Sequence, residues 1–411
     1  MPFRPRAGVL AVAATCLALA ACSLGDGSMA PAGSGGHGSG ATTQQTPTGS
    51  PTTAADGTVR GKPFSITIAA AGDVLTHVPV RNDAAADAKK AGQGAAYDFT
   101  PMFAKVKPII SAADLALCHM ETPVSQTDSG LSRPGVLVFN TPHEILEGVR
   151  SAGYEGCDFA SNHEFDQGLS GLRSTQAAFK AAGLGYAGPS ADPKSPRAVA
   201  TYTVKGVKVT HLAYSYTVLN NWGPNTQLPK DAPWLKETLW PARGAAGIIA
   251  DAKAAKQAGA DVVVVSFHWG QEYISAPTKD QTTMAKALLA SPYVDLILGT
   301  HVHVVQPCQT INDKFVFYGM GNSLSNQAPS QAKGLRPETQ EGMIATVTLD
   351  RDAAGKVTEK AVYTPTRVNL TGHVIEPVTK ASNPTTYARV HKWITSLPAS
   401  TGTCTATEST S

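Results

Sequence analysis

From residue 63 onward the chain alternates short apolar runs with longer amphipathic stretches. F-S-I-T-I-A-A-A-G-D (64–73) predicts a strand ending at Gly72-Asp73, and D-L-A-L-C-H-M-E (114–121) a second ending at Glu121. H-E-I-L-E-G-V-R-S-A-G (143–153) has helical spacing with a Gly after its last apolar position. The short run C-D-F-A follows, then the polar octapeptide S-N-H-E-F-D-Q-G (161–168), a second helix over 173–183 and the strand-like G-Y-A-G. A-V-A-T-Y-T-V and V-K-V-T-H-L-A-Y-S-Y flank Lys205-Gly206 and predict a hairpin. A helix over 243–259 precedes D-V-V-V-V-S-F-H-W-G, whose four consecutive Val suit a strand buried on both faces. Another helix (281–290) leads into V-D-L-I-L-G-T-H-V-H-V-V-Q (294–306). K-F-V-F-Y-G-M-G-N and G-M-I-A-T-V-T-L-D read as later antiparallel strands, and Asn383-Pro384 as the cap of a last helix to about Leu397. This alternation predicts an α/β layered domain with mixed sheets and no internal repeat.

The polar residues share a placement. Asp73, Glu121, Asn162-His163, His268 and His301/His303 each fall at or just past the end of an apolar run. In open α/β sheets ligands bind beyond the carboxyl ends of the strands, so parallel neighbours would deliver five segments to one edge. A single imidazole is ordinarily a hydrogen-bonded residue of the surface or core. Five segments with one placement argue against coincidence. On an extended strand His301 and His303, two apart, point to one face. With the oxygen donors Asp73 and Glu121 they make a mixed N/O set that suits Zn, Mn or Fe rather than a calcium cage. His119 shares a strand face with Glu121 and reads as a ligand, a support for one, or a solvated neighbour.

Composition narrows the setting. At 411 residues with 42% hydrophobic and 16% charged side chains, the chain buries a substantial core. The formal charge of +3 owes much to Arg4 and Arg6. Without residues 1–21, 32 basic side chains face 31 acidic ones, which excludes nucleic acid as an expected partner. Residues 1–21 read as a signal peptide, too short an apolar run to span a bilayer. They end in L-A-A-C (19–22), which resembles the bacterial lipobox and implies lipidation of Cys22. The expected location is therefore the outer face of the cell membrane, as an exported lipoprotein held through that lipid. Residues 22–62 are Gly/Ser/Thr/Pro-rich, a disordered tether with an end-to-end distance of roughly 35 Å. The organisation expected is thus signal peptide 1–21, lipidated Cys and linker 22–62, domain 63–397 and disordered tail 398–411.

Cys118, Cys157, Cys308 and Cys404 form no C-x-x-C pair, which speaks against a thiolate zinc site. Disulfides are open to them in an oxidising compartment, including a Cys308–Cys404 bridge pinning the tail. Cys118 and Cys157 lie in apolar strand-like runs and read as buried thiols.

The ordered set G-D (72–73), H-M-E-T-P (119–123), S-N-H-E-F-D-Q-G, H-W-G-Q-E-Y (268–273), G-T-H-V-H-V-V-Q-P (299–307) and Y-G-M-G-N (318–322) resembles the poly-γ-glutamate capsule biosynthesis (CapA) family, itself similar to the calcineurin-like metallophosphoesterases. The resemblance covers about residues 64–370 and implies a four-layer α/β/β/α sandwich with a metal centre between loops at the sheet edges. It puts Asp73, Glu121, Asn162, His268, His301 and His303 on metal-ligand positions. It makes His163 the imidazole that protonates the leaving group, with Glu164 or Asp166 orienting it. His119, Glu272 and Asn322 stand beside these positions as candidate supports. The implied cofactor is one or two divalent transition-metal ions, Mn, Zn or Fe.

The chain departs from the pattern at several positions. Metallophosphoesterases carry D-x-H in the first motif, but position 75 is Leu and His77 comes two residues later, which weakens the first of two metal positions. His119-Met120-Glu121 replaces the usual N-L-E, Val302 a usual Pro, and Ser323 a usual Phe. The function implied is metal-dependent hydrolysis in synthesis, export or attachment of an anionic envelope polymer such as poly-γ-glutamate, alongside capsule-synthesis membrane proteins. The alternative is a non-catalytic polymer-binding or assembly component. Arg133, Lys333 and Arg336 are the cations available to an anionic polymer, and Trp269 and Tyr273 the aromatics available to a cleft.

Overall fold

The period-2 alternation of the strands sorts their side chains into three large cores, beside a small cluster of Ala160, Ala187 and Ala213. Ile66, Ile68 and Ala70 point one way from the strand Phe64–Val74, into a core shared with Val262, Val264, Leu296, Leu298, Phe315 and Phe317. Ala69 and Ala71 point the other way, onto Ile145, Leu146, Leu172 and Phe179. Val263, Val265 and Phe267 form a third core with Ile248, Ala252, Ala285 and Leu288. In this computed structural model, which describes residues 62–92, 94–221 and 223–398 and the backbone of 407–408, two sheets therefore pack face to face with helices on both outer faces. The four-layer α/β/β/α arrangement is the one the sequence resemblance implies.

The first sheet runs in the order Val374–Pro377, Val357–Asn369, Glu341–Arg351, Phe64–Val74, Leu115–Met120, Gly156–Asp158, Gly185–Asp192, Ser195–Ala198. Its four middle members, Phe64–Val74 through Gly185–Asp192, are parallel, and Glu341–Arg351 joins them antiparallel. The second runs Cys308–Ile311, Lys314–Phe317, Leu296–Thr300, Val262–His268, Val207–Ser215, Ala200–Val204. Val262–His268 is parallel to both neighbours and wholly buried, as its four Val require. The hairpin forms with Lys205 and Gly206 at φ 50° and 79°, the mirror-image turn that matches strand twist.

Helices Glu144–Ala152 and Gly168–Ala182 end on Gly153 and Gly183 in the left-handed conformation. Thr278 and Gln281 form a capping box before Lys279–Leu289, and the Asn383 side chain caps Pro384–Ile394. K-F-V-F and G-M-I-A-T-V-T-L-D do not pair with each other: Lys314–Phe317 lies in the second sheet and Glu341–Arg351 in the first.

One cysteine expectation is overturned. Cys118 and Cys157 are directly opposite on neighbouring parallel strands, with Cα atoms 4.3 Å apart, and form a disulfide rather than two buried thiols. Cys308 is disulfide-bonded as well. Cys22, the linker and Cys404 lie outside the described residues. Among the described residues no helix is long and apolar enough to cross a membrane.

Candidate metal centre

Two sets of parallel strands, one from each sheet, end at the same place. Asp73 lies at the end of Phe64–Val74, His119 and Glu121 at the end of Leu115–Met120, Asn162 and His163 in the turn after Gly156–Asp158. From the second sheet come His268, the last residue of its strand, and His301 and His303 just past Thr300. Five segments converge as expected, but from two facing sheets rather than one edge.

The close approach at Asp73 requires Gly72. A Cβ there would overlap the Gly321 carbonyl oxygen, which accepts the Asp73 amide at 3.0 Å. His301 and His303 are not on an extended strand. Their φ angles are 88° and 56°, so the loop holds both in the left-handed region that side chains rarely adopt. The His301 amide donates to Asp73 Oδ1 at 3.0 Å, fixing that loop to the first sheet.

The donors crowd together. Within this cluster three groups of possible ligand atoms lie within 4.8 Å of one another: Asp73–His119–His268, Asp73–Glu121–His303 and Glu272–His301–His303. A fourth group, Asp128–His143–Glu144, includes the exposed His143 and belongs to a different loop region. His119 Nε2 is 3.7 Å from Asp73 Oδ1, His303 Nδ1 3.6 Å from Asp73 Oδ2, and His268 Nε2 and His303 Nε2 are 3.8 and 3.7 Å from Glu121 Oε1.

Both Glu121 carboxylate oxygens, His119 Nε2 and His301 Nδ1 are buried without a hydrogen-bond partner. Orphaned acceptors of this kind are costly in a core and are what a cation satisfies. The donor set therefore fits a divalent metal.

Protonation follows the same logic. Burial pushes Asp73 up to about 6, against the lowering pull of His119 and the His301 amide. Burial, with Asp73, Glu272 and Asp166 adding repulsion, pushes Glu121 well above the usual carboxylate range. Burial and neighbouring imidazoles hold His268 and His301 well below the ordinary histidine value. Burial takes His303 down to about 3 despite its hydrogen bond to Asn322. Neutral imidazoles are the ligating form, and two carboxylates starved of countercharge invite a cation.

Around the ligands, supports are in place. Asn322 Oδ1 accepts from His303 Nδ1 at 3.0 Å, while its own amide group is fixed by Gln327 and Thr339. Asn162 Oδ1 is 2.9 Å from His268 Nε2, and its Nδ2 donates to Asn220. Asp166, not Glu164, holds His163: Nδ1 donates to Asp166 Oδ2 at 2.8 Å, and Phe139 sets its ring edge-on at 4.7 Å. Glu164 instead accepts the Ser161 amide.

His77, absent from the cluster, contacts the Leu75 carbonyl and the Phe139 ring. Trp269 is buried and donates to the Tyr318 carbonyl, whereas Tyr273 lies 5.9 Å from the His303 ring. A groove of about 920 Å³ is a separate feature whose lining includes Arg150, Lys180, Arg197 and Tyr202, and it holds none of these ligand groups.

Two residues escaped the sequence reading. Asp158 accepts from His119 Nδ1 at 2.6 Å, and the Tyr216 ring packs, tilted, 4.4 Å from His301. Asp158 ends the C-D strand, so the rule that found Asp73 would have found it.

Fold and donor set together define a two-sheet protein built around a buried candidate metal centre. The chain belongs to the bacterial capsule synthesis protein family PGA_cap, whose model matches residues 67–327. It is 28% identical over 234 residues to the capsule biosynthesis protein CapA of Bacillus anthracis, covering 56% of this chain and 55% of that protein. It is 27% identical over 227 residues to the PGA biosynthesis protein CapA of Bacillus subtilis (55% and 57%). A probable polyglutamine synthesis accessory protein of Mycobacterium tuberculosis is 27% identical over 218 residues (52% and 56%). The chain thus spans little more than half the length of the curated relatives it matches. Among solved structures it is similar to the calcineurin-like phosphoesterase YfkN from Bacillus subtilis, with TM-score 0.40 and 15% identity over 80% of this chain and 98% of that one.

Proposed function

We propose that this chain is an exported protein, tethered to the outer face of the cell membrane by a lipid on Cys22, whose centre performs metal-dependent hydrolysis in the synthesis, export or attachment of an anionic envelope polymer such as poly-γ-glutamate. The observation that carries the metal reading is Glu121, whose two buried oxygens have no partner and face imidazoles on the opposite sheet. The names of the relatives support the pathway, and capsule-synthesis membrane proteins are the partners that setting supplies.

Asp73, His119, His268, Glu121, His303, His301 and Glu272 would hold one or two ions of Mn, Zn or Fe, with Asp73 common to two groups. Asn162 reaches the same ligands through His268. A divalent cation supplies Lewis-acid stabilisation of charge developing on a phosphoryl or acyl oxygen. The chain does the rest. Asp166 accepts from Nδ1 of His163, which orients the ring and leaves Nε2 to carry the proton given to the leaving group. Asn322 and the His301 amide keep His303 and Asp73 in register.

The test is metal content per chain, by elemental analysis, on the compact unit Pro51–Ser411 beside Asp73→Ala and His303→Ala. About one or two equivalents of a transition metal, lost in both variants, supports the centre and opens a screen of phosphoesters and γ-glutamyl amides. No metal after growth and dialysis with Mn, Zn and Fe ends the hydrolase reading.

Leu75, where metallophosphoesterases carry His, favours a second reading: a non-catalytic component that binds the polymer for assembly. Polymer binding that survives chelation, with no bond cleaved, selects it.

A further inference from the structure

The mouth of the centre carries apolar side chains that no part of the described fold covers. Among the described residues six large aliphatic side chains are exposed, and five of them sit on three loops that also hold the centre. Val136, Leu137 and Val138 are consecutive, with Leu137 67% exposed, and directly precede Phe139, the residue packed on His163. Leu219 precedes Asn220, the hydrogen-bond partner of Asn162. Ile274 follows Tyr273, whose ring lies beside His303. Three exposed apolar residues in a row are uncommon on a soluble surface, and apolar residues gathered about one site mark an interaction surface.

The exposed charges of the same loops have one sign; Glu272, on the loop of Ile274, is half-buried toward the centre. Arg133 is exposed in the first, and Arg336, exposed and donating to the Tyr273 carbonyl, shares a second exposed loop with Lys333. No exposed acid occurs in segments 131–138, 217–221, 223–228, 271–277 or 328–337. Aliphatic tips interleaved with Arg and Lys are the pattern that settles into the headgroup region of an anionic bilayer.

We infer that these loops form a collar that seats the mouth of the centre on an anionic lipid surface. The inference goes beyond the metal reading and does not require it. Its geometric consequence is specific. The linker joins the fold before Phe64, at the end of the first strand opposite Asp73, so the tether attaches far from the collar. If residues 22–61 are the flexible tether expected from their composition, they are enough chain to let the collar turn to the membrane. The centre then meets substrates carried on the bilayer rather than dissolved above it.

The experiment uses the unit Pro51–Ser411, which lacks Cys22 and the apolar leader, sedimented with phosphatidylcholine vesicles with or without phosphatidylglycerol. We expect binding to the phosphatidylglycerol vesicles, weakened by salt. It should fall about tenfold or more in Leu137→Ser/Val138→Ser and in Arg133→Glu. Val199→Ser, at the sixth exposed aliphatic residue, serves as the surface control and should bind as wild type. Unchanged melting temperatures would show that the variants fold. No sedimentation with either vesicle, or equal binding by the Leu137→Ser/Val138→Ser variant, overturns the proposal. So does self-association in solution that this variant abolishes, since a second copy would then occupy the collar.

Discussion

Asp158 accepts a 2.6 Å hydrogen bond from His119 Nδ1, and the two residues are directly opposite on neighbouring parallel strands. The bond turns the other ring nitrogen toward Asp73. A carboxylate behind a ligating imidazole fixes both its orientation and its tautomer. An imidazole thus faces Asp73 from the next strand, where position 75 carries Leu. Asp158→Asn should weaken metal affinity about 10- to 100-fold, and His119→Ala by more, measured by equilibrium dialysis against Mn or Zn. Wild-type affinity in both variants would remove His119 from the ligands.

His163 and Glu164 are adjacent but differently employed. His163→Ala should lower turnover of a cleaved phosphoester or γ-glutamyl amide by roughly 10² to 10⁴ and leave metal content unchanged. Loss of metal instead would assign His163 to ligation. Asp166→Asn should reduce turnover in the same direction, because it replaces the carboxylate at Nδ1 by a neutral amide that can present a donor there instead. Glu164→Gln should retain turnover, because that side chain serves the Ser161 amide.

The Cys118–Cys157 bridge closes a loop of sequence separation 39. On the loop-entropy model such a link is worth about 4 kcal/mol. Cys118→Ala/Cys157→Ala should therefore melt roughly 5 to 10 °C lower, followed by calorimetry. An unchanged melting temperature, together with two free thiols in the wild type by titration, would show the bridge absent in solution.

Glu359 gives the stability a pH dependence away from the centre. Burial pushes its carboxyl from 4.5 to about 8, with Asp295 adding to the rise, while the Phe315 amide, Lys314 and Lys256 pull it down. The folded state thus holds a proton that the unfolded state has released between those values. Stability from this group is full below about 4.5 and declines as the pH rises toward 8. Glu359→Gln should flatten the profile, melting above wild type at pH 8.5 relative to pH 5 by several degrees, on the order of 5 °C. Parallel melting curves across that range would contradict it.

How much of this was legible depended on whether the information was local. The convergence of Asp73, Glu121, Asn162 and His268 was legible because each lies at or just past the end of an apolar run, and a strand's end is visible in its own residues. The geometry of His301 and His303 was not, because the strand stops at Thr300 and the loop turns through positive φ where an extended period was assumed. Two facing sheets were implied by the family resemblance, but which strand joins which sheet was hidden. Whether K-F-V-F pairs with Leu296–Thr300 or with a later strand is decided by partners far away in sequence. The disulfide depended on register across 39 residues, which apolar patterning does not encode.

That register has a consequence for assembly. Cys118 and Cys157 each come one residue before His119 and Asp158, so the sulfur bridge and the imidazole–carboxylate pair occupy successive rungs of one ladder. Whatever oxidises the two thiols adds a covalent rung next to the imidazole–carboxylate pair. Chains folded under reducing conditions would retain that pair but lack the covalent rung beneath it.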